Sequence, residues 1–364
     1  MSAPQASLRI VGCIMLALLA ACGRGPTAAQ LDADNPIRPS AAPPYGMEEF
    51  FAKTPEPSPA RARLGRWLFY DQRLSADQSV SCATCHRPEH AFSEPLPLPT
   101  GVGGQAGRRK TPSIINLRAR TRLMAEGDPG PAFFWDGRAT SLEQQVLMPI
   151  ADPKEMGFDH PAMIDRLSGI QGYRRYFVEA FGTNTITKDQ VAAALADFVR
   201  TRVSGNAPYD RWAYGKDGRA MTTQAQKGVD LFFFKGRCGL CHAGFNFSDG
   251  LFHNLGIGWN QETRSFPDEG RLAVSHVARD RGAFKTPGLR DVAKHAPYMH
   301  DGSLATLRDV VEFYNRGGTP NPNLSGRMRG SLGLTPKDID ALVAFLETLD
   351  GEGYQDQAPK HFPR

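Results

Sequence analysis

The chain contains the pentapeptide CxxCH twice, as CATCH at residues 82–86 and as CGLCH at residues 238–242. Two cysteines three positions apart can form thioethers with the two vinyl groups of one porphyrin, and the adjacent histidine can present its imidazole to the iron. Two copies of the motif therefore predict two covalently attached c-type haems and a chain adapted to electron chemistry. The predicted attachment residues are Cys82, Cys85, Cys238 and Cys241, and the predicted iron ligands are His86 and His242.

Zinc half-sites and dithiol redox motifs also contain a CxxC pair. Neither requires a histidine directly after the second cysteine, and here a histidine follows both pairs. A thioredoxin-like motif would also lie next to a βαβ pattern, which this sequence does not show. The pattern therefore favours haem attachment over the two other kinds of site.

The N-terminus has the features of an export signal. An apolar run at residues 10–21 follows Arg9 and contains Cys13, and its 12 residues are fewer than the ~20 that a transmembrane helix needs. Cys22 follows a Leu-Ala-Ala tripeptide that resembles a bacterial lipobox. This predicts a signal peptide at residues 1–21 and a lipid on Cys22, with an ordinary secretory signal as the alternative. We therefore expect a periplasmic protein that meets the membrane only through this lipid.

The net charge gives little reason to expect a nucleic-acid partner. The chain has 43 Lys and Arg residues and 38 Asp and Glu residues. Cleavage after residue 21 removes one arginine and no acidic residue, so 42 basic and 38 acidic residues remain, a net charge of +4. The propionates of two haems would cancel this excess, and we expect no binding to nucleic acid.

Composition and periodicity predict two domains. Residues 22–61 are rich in Pro and Ala, which is typical of a tether. Strand signals are scarce, and the sequence predicts a mainly α, loop-rich fold with two cytochrome c-like haem domains. The predicted boundaries are residues 62–207 for the first haem domain, 208–352 for the second and 353–364 for a tail. Helical spacing of apolar residues predicts helices at residues 142–147, 188–202, 223–234 and 335–349, and a glycine-containing crossover between the domains at residues 205–218.

Several ordered motifs resemble a known family. They are FWDGR at residues 134–138, the segment 145–149, EMG at 155–157, KTPGLR at 285–290 and APYMHDG at 296–302. In this order, together with the two CxxCH motifs, they resemble the bacterial dihaem cytochrome c peroxidase and MauG family. The resemblance extends over about residues 62–350, nearly all of the chain after the signal.

The resemblance implies that the two haems have different roles. The haem on Cys82 and Cys85 corresponds to the peroxidatic haem, Glu155 to its acid–base residue, Gln145 to a neighbouring amide and Trp135 to a tryptophan between the haems. Peroxide cleavage requires a proton to move from one oxygen to the other, which a carboxylate can carry. Taken singly, these residues could instead be a solvated glutamate, a polar residue on a helix surface and a core tryptophan.

Two positions differ from the usual peroxidase pattern. Val102 aligns with a histidine that ligates the peroxidatic iron in many family members, so we expect the first haem to be open without prior reduction. Tyr314 aligns with a methionine ligand of the second haem, and MauG-type enzymes also use tyrosine there. A phenolate is a hard anionic donor that lowers the potential of the haem. The alternative ligands are Met299 and Met328.

Two further positions concern calcium and the electron donor. Lys110 aligns with an asparagine that binds calcium between the haems in family members, and an ammonium cannot coordinate a cation. Lys110 is therefore expected to replace the charge of the ion, and calcium is disfavoured. Gly236 occupies the position of the surface tryptophan through which MauG-type enzymes oxidise their protein substrate.

The resulting expectation is a dihaem peroxidase. Its oxidant would be hydrogen peroxide, and its reductant a small cytochrome c, a cupredoxin or a protein substrate. The alternative is a non-enzymatic dihaem electron carrier, which would be expected to saturate both irons with strong ligands. Val102, Glu155 and Gln145 argue against the carrier. The sequence makes no prediction about the oligomeric state.

Overall fold

The computed structural model describes residues 26–37, 43–48, 51, 54, 56–118, 132–328 and 330–364. The predicted signal peptide, including Cys13, and the predicted lipidation residue Cys22 lie outside the described residues. Within the described part of the chain, no helix is both long and apolar enough to span a membrane.

The mainly α prediction is confirmed. The helices are α1 (Ala28–Asp34), α2 (Pro59–Tyr70), α3 (Cys82–Cys85), α4 (Leu142–Ala151), α5 (His160–Gly169), α6 (Gln171–Phe181), α7 (Lys188–Arg200), α8 (Pro208–Ala213), α9 (Thr223–Phe233), α10 (Leu272–Ser275), α11 (Leu307–Asn315) and α12 (Pro336–Glu347). Short 3₁₀ turns cover Gln72–Leu74, Pro88–His90, Val102–Gly104, Cys238–Leu240, Ala278–Asp280, Val292–Lys294 and Gly326–Met328. The strands β1 (Phe252–Asn254) and β2 (Ala283–Lys285) form one antiparallel pair, with Phe252 opposite Lys285.

Each CxxCH motif follows one helix of a crossed pair. In the first lobe α2 packs on α7, and a Cβ atom on Gly65 would lie 1.9 Å from the carbonyl oxygen of Ala194. In the second lobe α9 packs on α12, and a Cβ atom on Gly228 would lie 2.1 Å from the carbonyl oxygen of Ala341. Both crossings bring backbone against backbone, which only glycine permits. The two lobes are therefore built on the same helix crossing.

Each lobe also has its own hydrophobic core. The first core includes Leu64, Trp67 and Phe198, and the second includes Phe232, Phe247 and Phe345. The aromatic rings in the second core contact each other edge to face, with the centroids of Phe232 and Phe345 5.1 Å apart. These cores hold the helices from which the functional loops extend.

The predicted helices correspond to α4, α7, α9 and α12, with shifts at their ends. The stretch predicted at residues 142–147 continues to Ala151 through Pro149, and α12 is capped as expected by Thr335, with Asp338 completing a capping box. The predicted crossover at residues 205–218 differs, because it contains the helix α8. Two features explain why a short helix forms there. Pro208 occupies its first position, and the carboxylate of Asp210 accepts a hydrogen bond from the N–H of Ala207.

The segments predicted as tether and tail also differ from expectation, because parts of both pack on the first lobe. In the tether region, α1 buries Leu31 in the first core, and Asn35 donates to the carbonyl of Arg63. In the tail, Asp356 forms a buried ion pair with Arg66. The ring of Phe362 lies 5.7 Å from that of Trp67. These long-range contacts explain why segments of loop-like composition are ordered against the domain.

Candidate haem sites

The two motif histidines are held in the same way. Nδ1 of His86 lies 2.9 Å from the carbonyl oxygen of Phe92, and Nδ1 of His242 lies 2.8 Å from that of Phe247. A carbonyl only accepts, so each Nδ1–H donates and each Nε2 keeps its lone pair. Burial also lowers the pKa of both histidines, which keeps the imidazoles neutral. Both are therefore prepared to ligate a metal through Nε2.

The motif cysteines are half-buried free thiols. Burial raises the pKa of Cys82, Cys85 and Cys238 to about 12. Zinc binding and disulfide exchange both require thiolates, so these environments disfavour the two alternatives to haem attachment. Cys82, Cys85 and His86 line one cavity, and the cysteines and histidine of the second motif line another.

Glu155 lies in the wall of the first cavity, which has a volume of about 450 Å³. A turn after α4 positions it, because the N–H of Glu155 donates to the carbonyl of Asp152. The loop around Gly101 closes on this turn. The N–H of Val102 donates to the carbonyl of Glu155, and a Cβ atom on Gly101 would lie 2.5 Å from the same oxygen. Two loops thus fix the backbone that carries the carboxyl group.

The electrostatic environment of Glu155 suits proton transfer. Burial raises the pKa of this carboxyl group, the neighbouring Asp152 raises it further, and Arg138 acts in the opposite direction. An elevated carboxyl pKa brings proton exchange closer to neutral pH, where an acid–base group works best.

Gln145 and Trp135 line both cavities. The Oε1 atom of Gln145 is buried and has no hydrogen-bond partner among the described residues. The indole N–H of Trp135 donates to the carbonyl of Lys110 over 2.8 Å. These two side chains therefore form part of a wall that the cavities share.

That Val102 leaves the first iron open stays a prediction, and the structure shows the valine packed beside the first cavity. Its side chain is buried, and the described residues that line the first cavity do not include it. A Cβ atom on Gly157 would lie 3.0 Å from Cγ2 of Val102, so the valine packs towards that glycine. The hydrogen bond from its N–H to Glu155 turns the loop in this direction, and the valine supports the Glu155 turn.

Tyr314 lines the second cavity, which has a volume of about 250 Å³. It lies on α11, which begins after the capping box of Thr306 and Asp309. Burial raises the pKa of its phenol above the ordinary range, and the nearby Cys241 and Cys238 add to the shift. Met299 and Met328 line the same cavity, so the structure brings all three candidate ligands together.

Lys110 is a buried cation that lines both cavities. Its ammonium donates to the carbonyl of Glu94, whose carboxylate accepts the hydroxyl of Thr111. Burial lowers the pKa of Lys110 to about 8, and the Glu94 charge opposes this shift. On the second-cavity side, Nε2 of His295 is buried without a partner among the described residues. Burial and then Lys110 lower the pKa of His295 to about 3.

Comparison with known proteins places this geometry in a family. Residues 59–218 match the family model described as di-haem cytochrome c peroxidase. The chain is 42% identical over 296 residues to the methylamine utilization protein MauG of Methylorubrum extorquens, an alignment that covers 81% of this chain and 79% of that protein. The chain belongs to the di-haem cytochrome c peroxidase family.

Other relatives agree. Cytochrome-c peroxidase IdrP2 of Denitromonas iodatirespirans is 36% identical over 321 residues, covering 81% of this chain and 83% of the relative. Among solved structures, a MauG-like protein associated with microbial copper homeostasis superposes with a TM-score of 0.74 at 30% identity, covering 88% of this chain and 97% of the other. The diheme peroxidase BthA from Burkholderia thailandensis gives a TM-score of 0.72 at 26% identity, covering 90% and 97%.

This di-haem peroxidase is an oxidoreductase that uses two haem c groups, peroxide and a redox or protein partner. The donor sets fit these cofactors, because each cavity combines two half-buried thiols with an imidazole whose Nδ1 is held by a backbone carbonyl. When bound, each haem supplies an iron that can change its oxidation state. The family assignment favours an enzyme over the non-enzymatic electron carrier.

Sequence reasoning missed several residues around the peroxidase sites. Phe92 and Phe247 act through backbone carbonyls, which any residue offers, so no side-chain pattern could reveal them. Glu94 could have been noticed as an acidic residue eight positions after the first motif histidine, but its partner Lys110 is known only from the fold.

One cluster near the second motif resembles a metal site. Ligand atoms of Cys241, Asp249 and His253 lie within 4.8 Å of one another. Arg327 donates to Asp249 over 2.8 Å, so a cation already balances this carboxylate. The cluster is best described as support for the second haem motif.

Proposed function

We propose that the two haem sites of this peroxidase are unequal. Hydrogen peroxide is reduced at the site of His86, where Glu155 transfers protons. Electrons arrive through the site of His242, where Tyr314 would be the second protein ligand of the haem iron. The observation that carries the proposal is the position of the half-buried Glu155, with its raised carboxyl pKa, in the same cavity as the first CxxCH motif.

Glu155 supplies the proton transfer that peroxide cleavage requires. The carboxylate accepts a proton from one peroxide oxygen and returns it to the other, so that the second oxygen leaves as water. The loop around Gly101 fixes the backbone of Glu155 at the cavity wall, so less conformational freedom is lost when its carboxyl group meets the peroxide.

Gln145 and Trp135 assist at the wall between the cavities. The unpartnered Oε1 of Gln145 can accept a hydrogen bond from an O–H of the peroxide and orient it for Glu155. Trp135 offers an aromatic ring along the path from one cavity to the other, and its bond to the Lys110 carbonyl fixes the indole plane.

Tyr314 is proposed as the second ligand because its phenol is buried close to Cys241 and Cys238, the residues that attach the second haem. An anionic oxygen donor stabilises the more oxidised states of iron, whereas the thioether of Met299 or Met328 stabilises the reduced state. This choice suits a site that holds oxidising equivalents.

Lys110 is proposed to take the place of a calcium ion between the haems. Its ammonium is already bonded to the Glu94 carbonyl and next to the Glu94 carboxylate, so an added divalent cation would meet a like charge. The site then carries a positive charge at neutral pH without bound metal.

The proposed location is the periplasm, with a lipid on Cys22 as the only membrane anchor. Attachment of c-type haem outside the cytoplasm and the signal-like residues 1–21 support this location. The electron donor is proposed to be a small cytochrome c, a cupredoxin or a protein substrate.

The test is to mix the ferric holoprotein with one equivalent of hydrogen peroxide in the absence of a donor. An open first site predicts immediate loss of the ferric Soret absorbance, followed by recovery when a reductant is added. Prior half-reduction of the protein should not be needed. A ferric protein that remains spectrally unchanged and reacts only after half-reduction would overturn the proposal of an open site.

A further inference from the structure

A chain of aromatic rings begins at the proximal side of the second haem site. The carbonyl of Phe247 accepts the Nδ1–H of His242 over 2.8 Å, and the Phe247 ring is 1% exposed. The ring of Tyr209 lies 5.3 Å from that of Phe247, at an interplanar angle of 67°. The residue whose backbone carbonyl holds His242 is therefore in ring contact with the buried Tyr209.

The chain continues from Tyr209 to the surface. The ring centroid of Tyr209 is 6.2 Å from that of Trp212 and 6.3 Å from that of Tyr214. Trp212 is half-buried, and Tyr214 is 48% exposed. Three residues that differ in depth thus connect the second core with solvent.

The short helix α8 (Pro208–Ala213) fixes this arrangement. Tyr209 and Trp212 are three positions apart, so they lie on the same side of the helix. Asp210 forms a fully buried ion pair with Arg290, whose Nε donates to the carbonyl of Phe245. The helix is therefore anchored to the loop that follows the second CxxCH motif.

We propose that Tyr209, Trp212 and Tyr214 form an electron-transfer route from the protein surface to the second haem site. Phenol and indole side chains can be oxidised by one electron and reduced again, and close ring contacts favour transfer between them. The inference rests on the proposed function, since it requires oxidising equivalents at the site of His242. It adds a surface, centred on Tyr214, at which one-electron aromatic donors are oxidised.

The first lobe offers a contrast that supports this assignment. The carbonyl of Phe92 holds His86, and the ring of Phe92 lies 6.3 Å from that of Tyr354. Tyr354 is 2% exposed, and its hydroxyl accepts a hydrogen bond from Lys294. The equivalent ring contact in the first lobe ends inside the protein, whereas in the second lobe it continues to solvent.

A more direct exit next to the second motif is blocked. A Cβ atom on Gly236 would lie 2.7 Å from the carbonyl oxygen of Leu231, so the backbone there has no room for an aromatic side chain. An aromatic donor path at this position would require the loop to move. The route through α8 needs no such rearrangement.

The electrons and protons balance along this route. Reduction of one hydrogen peroxide to two waters takes two electrons and two protons. Each electron leaves Tyr214 or Trp212 and reaches the second site by way of Tyr209. When Tyr209 is oxidised, its phenolic proton passes to the hydroxyl oxygen of Tyr214, with which it shares a hydrogen bond, and the proton returns when Tyr209 is reduced again. Trp212 gives up its electron as a radical cation and keeps its indole proton. The phenolic proton of Tyr214 passes to solvent, and an external donor returns the electron while solvent returns the proton. Burial raises the pKa of Tyr209 to about 12, with a contribution from Tyr214, so this phenol is protonated before it is oxidised.

The experiment uses the ferric holoprotein and one equivalent of hydrogen peroxide without a donor. Peptide mass spectrometry then maps oxidised tryptophan and modified tyrosine, and freeze-quench electron paramagnetic resonance detects the radical. We expect modification at Trp212 and Tyr214 in the wild type. Tyr209→Phe should reduce it several-fold and slow the return of the Soret absorbance, since it removes the oxidisable phenol but keeps the ring.

Trp259→Phe is the matched control, because Trp259 is a half-buried indole of the same lobe whose ring contacts Phe266. This variant should leave the modification of Trp212 and Tyr214 unchanged. An unaltered Soret spectrum and haem content before peroxide will show that Tyr209→Phe is folded. Loss of Soret absorbance without modification of Trp212 or Tyr214, or equal modification in Tyr209→Phe, would overturn the route alone. No spectral response to peroxide in the wild type would overturn the proposed function as well.

Discussion

The two haem cavities hold their motif histidines in the same way and differ in the further side chains that line them. In both lobes a glycine-mediated helix crossing precedes a CxxCH motif, and a phenylalanine carbonyl holds Nδ1 of the motif histidine. Beyond this frame, the first cavity has Glu155 on a loop, and the second has Tyr314 on a helix. The repeated fold provides a haem attachment site in each lobe. The reactivity of each site depends on the further residue that lines its cavity, Glu155 in the first and Tyr314 in the second.

The largest effect should come from the first cavity. Glu155→Gln keeps the size of the side chain and removes its acid–base capacity, so we expect kcat/KM for peroxide to fall by about 10²–10⁴-fold. Stopped-flow measurement of Soret loss will report this step. Glu143→Gln is the matched control, because Glu143 lies on the same α4 but pairs with Arg200 outside the cavity. A similar loss in both variants would remove Glu155 from its proposed role.

The pH dependence of the reaction rate and of stability also distinguishes Glu155→Gln from the wild type. The ionised carboxylate accepts the proton, so the wild-type rate should rise with pH through a pKa above the ordinary range for glutamate. A carboxyl pKa that is raised in the folded state means that stability is lost as pH rises through that range. Glu155→Gln should therefore abolish the acidic limb of the rate profile and be at least as stable as the wild type at neutral pH.

Much of this site could be predicted from the sequence, because its chemistry is carried by side chains in ordered motifs. The CxxCH motifs, Glu155, Gln145 and Trp135 were all identified in this way, and they line the cavities. The contact of Val102 with the Glu155 turn was not, since it depends on a backbone hydrogen bond. Periodicity indicates helices but does not show which loop closes on which turn.

The second cavity should respond most to its proposed oxygen ligand. Tyr314→Met replaces a phenolate with a thioether, so the reduction potential of the second haem should rise by on the order of 0.1–0.3 V. A sulfur-to-iron charge-transfer band should appear in the near infrared of the ferric variant. Tyr298→Phe is the control, since Tyr298 lines the same cavity but donates its hydroxyl to the Val292 carbonyl. A charge-transfer band already present in the wild type would instead identify Met299 or Met328 as the ligand.

The helix crossing that the two lobes share can be tested at its two glycines. Gly65→Ala and Gly228→Ala each place a methyl group against a backbone carbonyl, so each should lower the free energy of unfolding by about 1–3 kcal/mol. Denaturant unfolding monitored at the Soret band will measure the change. Gly169→Ala is the control, because a Cβ atom there meets nothing within 4 Å. If only one of the two crossings is sensitive, the lobes are less alike than their geometry indicates.

Lys110, in the wall between the cavities, should have a smaller effect on stability. The pH dependence of this effect should be opposite in sign to that of Glu155. The folded-state pKa of Lys110 is about 8, below its ordinary value, so the unfolded state binds more protons and wild-type stability should rise with pH from about 8 towards 10. Lys110→Asn should lose this rise and cost about 1 kcal/mol at pH 7. Calcium should stabilise the variant, while a chelator leaves the wild-type spectrum unchanged. A wild-type spectrum that changes on chelation would contradict the replacement of calcium by Lys110.

Parts of the fold could not be read from the sequence because they depend on distant partners. The tail has a loop-like composition, yet Asp356 pairs with Arg66 and Phe362 packs on Trp67, about 290 positions away in the chain. The crossover was recognised by its glycines and proline, which also allow the short helix α8. Local composition therefore indicated that these segments are loop-like but not which surfaces they pack against.

The smallest expected effect is at the end of α12 in the second lobe. Asp338 receives hydrogen bonds from Lys235 and Lys227, which hold its carboxyl pKa below the ordinary range. Both lysines are about half exposed, so Asp338→Asn should cost less than about 1 kcal/mol and should depend on salt. Because the folded-state pKa is depressed, this stability is present above the unfolded pKa and is lost as pH falls. Glu347→Gln is the control, because it removes the same charge at an exposed position of the same helix. Its stability should show no such pH dependence. An equal response in the two variants would show that net charge, and not the lysine pair, is responsible.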